Sequence, residues 1–435
     1  MKGLSKYREG IKRISAHLVK AQEPIRVLDA IKWDDGVYQK FCRARFKKLP
    51  QVDQAYYQAR NLPFDLKNTG HDFRQILKDI QKFFSAGDPM RELLVQTTEE
   101  YLQVLELLRA RGTPKFYEIS RRLYGSPKDH FYGDTTTILS LSQTLSGILA
   151  NLDDSQVGPV PTHDISAAAA VKDLRRRFNH SFLKGQVQVN LSDGIVADAA
   201  AGSSYIKINQ GAQFSRQEID ILEVHEGWVH VATSLNGLRQ SNAAWLAKGP
   251  PRCIATQEGL AVLMEVVTLK GFPERVRKIN DRIRGIHLAE NGADFLEVFE
   301  FYQQEGYETP TAFRNAMRVF RGGVITGGAP YTKDIAYCKG FIECYNFLRT
   351  AVRMGYVDLV RFFFVGKVNV RDIPLLYEKH REGIVDRPAL LPPPFEDLSP
   401  LVVWMSFSNF LNQVNLASVQ EDYQKLFKKF NLENS

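Results

Sequence analysis

Apolar positions recur every three or four residues along most of the chain, the period of amphipathic helices. They switch to a period of two in a short region after Lys184. The helical pattern over Leu94–Arg109 stops at Arg111-Gly112-Thr113-Pro114, where glycine and proline end a helix. A second helix runs from Phe116 to the break at Tyr124-Gly125-Ser126-Pro127, and a third from Asp134 to Leu152. Gly158-Pro159-Val160-Pro161 marks a boundary. Beyond it, Val187–Val189 and Ile195–Ala197 read as short strands around the turn Ser192-Asp193-Gly194, and Ser204–Asn209 alternates as a half-buried strand does. Ser215 is a good N-cap and Glu218 completes a capping box, so a long helix starts there. Asn236-Gly237 would close it with a left-handed cap. From Trp245 onward the pattern is helical with glycine-rich turns, and Leu391-Pro392-Pro393-Pro394 is a rigid connector before a last helical region, 400–430. The expected fold class is α+β and predominantly helical, with a helical region over 1–157, a core over 158–390 holding a small antiparallel sheet and a long helix, and a helical segment over 391–435 packed on that core.

Composition narrows the class without changing this layout. A chain of 435 residues, 44% of them hydrophobic, can bury a sizeable core. No stretch approaches the roughly 20 apolar residues of a membrane span; Phe362–Val365 is far too short. The first residues carry charge without an apolar signal core, so the expected location is cytoplasmic. Cys42, Cys253, Cys338 and Cys344 are scattered without Cys-x-x-Cys spacing and read as reduced thiols. The net charge of +8 comes from residues 1–50, which hold 13 Lys/Arg against 5 Asp/Glu. That segment reads as a solvated helical face, with an acidic partner as the alternative; it carries no nucleic-acid-binding motif.

The chemistry concentrates in the predicted long helix, at Leu222–Val231. His225 and Glu226 are followed by His230. A His-Glu pair with a second histidine close behind lets one helix present two metal ligands and a general base. Here the spacing is five residues. At about 100° per residue, positions five apart lie roughly 140° apart around an ideal helix and cannot share a metal. The spacing therefore predicts a locally widened, π-type turn, with Gly227 easing the distortion. A third ligand is needed, and a carboxylate on a following helix would supply it. By spacing, Glu258, Glu265 and Glu290 compete for that place.

Gln257-Glu258-Gly259-Leu260-Ala261 resembles the motif of the bacterial QEGLA-motif proteins, described as modulators of flavohaemoglobin expression. Their domain family includes the microtubule-associated tyrosine carboxypeptidase. The resemblance extends to Ala110–Pro114, Leu123–Pro127, Asn236-Gly237, Arg318–Gly323 and Tyr331–Tyr337, about residues 60–380 in all. It implies a gluzincin-like zinc metallopeptidase core, one Zn2+ per chain held by His225, His230 and Glu258, and Glu226 as the catalytic base. It also implies carboxypeptidase action on the C-terminal tail of a peptide or protein. The alternative is a regulatory or binding protein with a structural zinc. In one respect the chain departs from the family pattern. The glycine stands first, not second, of the three residues between Glu226 and His230, which puts Trp228 in the turn.

An oxyanion needs a donor besides the metal, and Tyr337, Tyr331 and Arg321 are available. A terminal carboxylate calls for a cation, for which the glycine-rich segment 321–334 offers Arg321 and Lys333, with Arg318 just before it. The remaining seven histidines are isolated and read as surface or core residues.

Overall fold

The structure is a computed structural model that describes residues 2–158, 161–195, 197–411 and 413–429. Helices dominate it, as the periodicity requires. Pro89–Arg109 and Pro114–Tyr124 are helical, each with proline in its first turn, where no N–H is needed. The third helix is shorter than its pattern, Ile138–Ala150, because the capping box of Thr137 and Ser140 sets its start. Pro159 and Val160 of the expected boundary, Val196 of an expected strand, and Asn412 and Phe430 of the last helical region lie outside the described residues. That last region forms two helices, Ser399–Leu411 and Leu416–Lys429.

Among the described residues, five short strands form two small sheets. β1 (Ile165–Ser166) pairs antiparallel with β5 (Gln213–Phe214). β2 (Gln188–Ser192), β3 (Ala199–Ala201) and β4 (Tyr205–Asn209) form the other, in the order β2-β4-β3. This corrects the antiparallel expectation: β2 runs parallel to β4, with Gln188 opposite Tyr205, and only β3 is antiparallel to β4. The strand after the Ser192–Gly194 turn starts at Ala199, beyond Ile195–Ala197. Ile206 and Ile208 of β4 are fully buried while Tyr205 and Lys207 face out.

One hydrophobic core draws side chains from the whole length, from Ile11, Ile14 and Leu18 of helix Lys2–Gln22 to Leu401 and Met405 of Ser399–Leu411. A second, rich in aromatic rings, gathers Trp33 and Phe41 against Phe295, Phe299 and Phe313. Two helices that frame the site, Cys253–Val267 and Ala336–Arg353, cross on glycine. A Cβ on Gly259 would stand 1.9 Å from the carbonyl carbon of Gly340, and one on Gly340 would stand 1.7 Å from Ala255 O. No larger residue allows that approach, which brings Glu258 near Tyr337. No helix of the described residues is long and apolar enough to cross a membrane.

Candidate metal centre

Helix Arg216–Leu222 opens with the capping box of Ser215 and Glu218. It runs into a nine-residue π-helix, Glu223–Val231, and leaves it as helix Ala232–Leu238. The Ala232 N–H bonds to Gly227 O, five residues back, which is the π pattern. The widened turn puts both histidines on one face, with ring centroids 4.8 Å apart and planes at 86°. Where the ladder returns to α, Thr233 Oγ1 lies 2.8 Å from Val229 O and Ser234 Oγ donates to His230 O at 2.8 Å. These hydroxyls add bonds to main-chain carbonyls at the change of register.

Two glycines make close contacts that the sequence did not show. A Cβ on Gly227 would lie 2.2 Å from Phe178 Cε1, so the glycine admits the Phe178 ring against the π turn. Gly237 is not a left-handed cap. It lies inside the helix, where a Cβ would stand 2.3 Å from Ala247 N. Its neighbour Asn236 is buried and bonds on both sides of its amide, to Phe364 O and Leu390 O and from the N–H groups of Ala389 and Leu390.

Glu258 lies across from the two histidines. Its Oε2 is 3.4 Å from His225 Nε2 and 3.6 Å from His230 Nε2. The ligand atoms of the three residues all lie within 4.8 Å of one another. Donors bound tetrahedrally to zinc at about 2.0–2.1 Å stand roughly 3.4 Å apart, so the spacing and the donor set fit such an ion. Glu265 and Glu290 fall elsewhere. Glu265 accepts from His225 Nδ1 at 2.7 Å and is forked by Arg275, with contacts of 2.9 and 3.1 Å. It therefore orients the ring and leaves Nε2 facing Glu258. Glu290 bonds Ser126. His230 lacks such a brace, its Nδ1 being buried without a hydrogen-bond partner.

The electrostatics follow from burial and pairing. Burial pushes the His225 imidazole down, but the bonds to Glu258 and Glu265 outweigh it and raise it to about 9. Burial works against the Glu265 carboxylate too, yet Arg275 and His225 hold it at about 2. Glu258 is held well below the usual carboxylate range against its burial, chiefly by Lys333 and the histidines.

Glu226 lies beside the cluster and accepts from the Ala201 N–H of β3 at 3.1 Å. Tyr337 stacks near His225, with ring centroids 6.2 Å apart, and burial pushes its hydroxyl up. Lys333 reaches the site as the partner of Glu258, Nζ to Oε1 at 3.0 Å. Arg321 and Tyr331 do not line the cleft. Tyr331 packs between Phe116 and Tyr124, with Arg321 over its ring. Arg318 lines the cleft but is forked onto Asp334. Trp228 points away from the site, edge-on to Phe182 and beside Pro393.

The cleft's cations come from two helices, and of them the sequence reading names only Arg318. Arg275, Lys278 and Arg282 line it from helix Pro273–Glu290, and Arg314 and Arg318 from Thr309–Phe320. The spacing of three and four residues within each helix, which puts them on one face, was the available signal. Lys278 and Arg314 each stand 3.9 Å from Asp198. Arg282 is 8% exposed, lies over the Tyr337 ring at 5.2 Å, and has no hydrogen-bond partner for its Nε.

Comparison with curated proteins finds no match to the chain. The family model for the microtubule-associated tyrosine carboxypeptidase matches residues 39–413, which include every residue of the cluster and the cleft. The chain belongs to the microtubule-associated tyrosine carboxypeptidase family.

Proposed function

We propose that this chain is a zinc-dependent carboxypeptidase that removes a C-terminal residue from a peptide or protein tail. The observation that carries the reading is the convergence of His225, His230 and Glu258 with Glu226 tethered beside them. The family's description supplies the exopeptidase direction. Bound by the three ligands, zinc would supply Lewis-acid polarisation of the scissile carbonyl and of a water.

The remaining steps belong to the chain's own residues. Glu226 takes the water proton on its carboxylate and delivers it to the leaving nitrogen. Its bond from Ala201 N–H fixes the carboxylate for that transfer. Tyr337, kept protonated by burial, donates its hydroxyl to the developing oxyanion. Arg282 receives the terminal carboxylate. A buried guanidinium with an unpartnered Nε is a costly arrangement that a carboxylate relieves. Lys278 and Arg314 add positive charge at the same wall.

The substrate backbone lies along β3. β4 is paired on both sides and offers no free edge, whereas β3 is an outer strand next to the metal helix.

The test is mass spectrometry of a peptide mixture incubated with zinc-loaded protein. Loss of single residues from the C-terminus, stopped by a chelator and restored by zinc, is the expected result. Internal cleavage would make the protein an endopeptidase. A protein that carries one zinc and cleaves nothing would instead be a regulatory or binding protein with a structural metal.

A further inference from the structure

The two oxygens of Glu258 have different neighbours. Oε2 faces His225 and His230, at 3.4 and 3.6 Å. Oε1 faces Lys333, whose Nζ is 3.0 Å away. Both side chains are nearly buried, at 13% and 12% exposure, so water does not compete strongly for either. The lysine is also fixed from both sides along the chain. Thr332 before it is buried and bonded through its N–H and its hydroxyl to Ser120 Oγ, at 3.0 and 2.9 Å. Asp334 after it is held by the two bonds from Arg318. Lys333 therefore does not swing freely toward a substrate; its ammonium is delivered to one oxygen.

A carboxylate can give a metal one oxygen or two. A catalytic zinc site keeps one position open beside three protein ligands, and a second oxygen from Glu258 would fill it. We propose that Lys333 is a positioning residue that holds Glu258 Oε1 away from the metal, so that Glu258 serves as a one-oxygen ligand and the open position is preserved. This rests on the reading of the His225, His230 and Glu258 cluster as a zinc site. It gives Lys333 a place in the mechanism other than binding the substrate carboxylate.

The inference predicts an unusual sign. Loss of an ordinary structural contact near a ligand weakens metal binding by about 10–100-fold. Losing Lys333 would instead release the second oxygen and remove a positive charge next to the cation, so metal binding should tighten while turnover falls. The experiment measures zinc release to a competing chelator from the purified zinc-loaded protein, and in parallel kcat and KM on a peptide with a free C-terminus. In Lys333→Met, zinc release should slow by about tenfold and kcat should fall by about tenfold or more, with KM little changed. Lys333→Arg, which keeps a cation and a donor, should recover both values toward wild type. Lys333→Gln keeps a neutral donor and should shift both in the Met direction by less; it carries the test if the Met variant does not fold. Faster or unchanged zinc release in the neutral variants would overturn the proposal and leave Lys333 a structural partner of Glu258. Absence of zinc binding by the wild-type protein would instead remove the metal reading itself.

Discussion

His225 is braced by Glu265 on Nδ1, which orients the ring and points Nε2 toward Glu258. The residue-scale expectations follow. His225→Ala should abolish stoichiometric zinc in elemental analysis; full occupancy would break the ligand assignment. Glu265→Gln leaves the ligands in place but weakens the brace, and should lower zinc affinity by about 10–100-fold in a chelator competition. Glu226→Gln should keep zinc and lower kcat by roughly 10²–10⁴-fold, the usual contribution of a positioned general base. Turnover close to wild type would remove Glu226 from that role. The clustering of the two histidines was legible because metal ligation restricts which residue types can stand together. The spacing of Glu258 left three carboxylates open, because ranking them takes the crossing of two helices, and a resemblance had to choose. Arg282 was missed for a similar reason. Its meaning lies in a buried Nε without a hydrogen-bond partner, and a sequence does not show that.

At the scale of elements, the five-residue spacing was the most informative signal, since an ideal helix could not use it and a π turn could. The chain commits nine residues to that turn, Glu223–Val231. Gly227 is needed there for the close approach of Phe178, so Gly227→Ala should cost about 1–3 kcal/mol by overpacking. Chemical denaturation measures it, and Phe178→Leu in the same chain should return part of the loss. A fully stable Gly227→Ala protein with zinc bound would contradict the packing argument. The strand pattern told less. Alternation marked β4 correctly, but its central place depends on parallel pairing with β2, a non-local choice that short strands do not encode. Gly237 was misread because a left-handed cap and a close backbone approach both call for glycine, and only the tertiary contact with Ala247 separates them. The carboxylate-binding cations were sought in the glycine-rich segment 321–334, which instead packs inward, with a Cβ on Gly322 blocked by Phe116.

For the whole molecule, the helical layout was readable from period alone, while the joining of distant segments was not. Residues outside the family match still build the core: Ile11, Ile14 and Leu18 of Lys2–Gln22 are fully buried, with Lys6, Lys12, Arg13 and Lys20 facing outward. Buried polar links also tie distant segments together. Glu100 of helix Pro89–Arg109 accepts from the Arg252 N–H at 2.8 Å, and Arg252 pairs with Asp372. Burial, opposed by Arg252 and aided by Asp372, pushes the Glu100 carboxyl up to about 7. A carboxyl raised in the folded state adds stability that is complete below its unfolded value, about 4.3, and is lost as pH rises through about 7. Thermal unfolding between pH 5 and 8 should therefore show a decline that Glu100→Gln flattens; parallel curves would mean that Glu100 titrates normally.

The central claim, a zinc peptidase that reads the end of a chain, is tested most directly with one peptide made in two forms, free acid and C-terminal amide. Zinc-loaded protein should cleave the free acid with a kcat/KM higher by on the order of 100-fold or more, because the amide brings no carboxylate to the buried Arg282 Nε. Equal cleavage of the two forms would contradict the account.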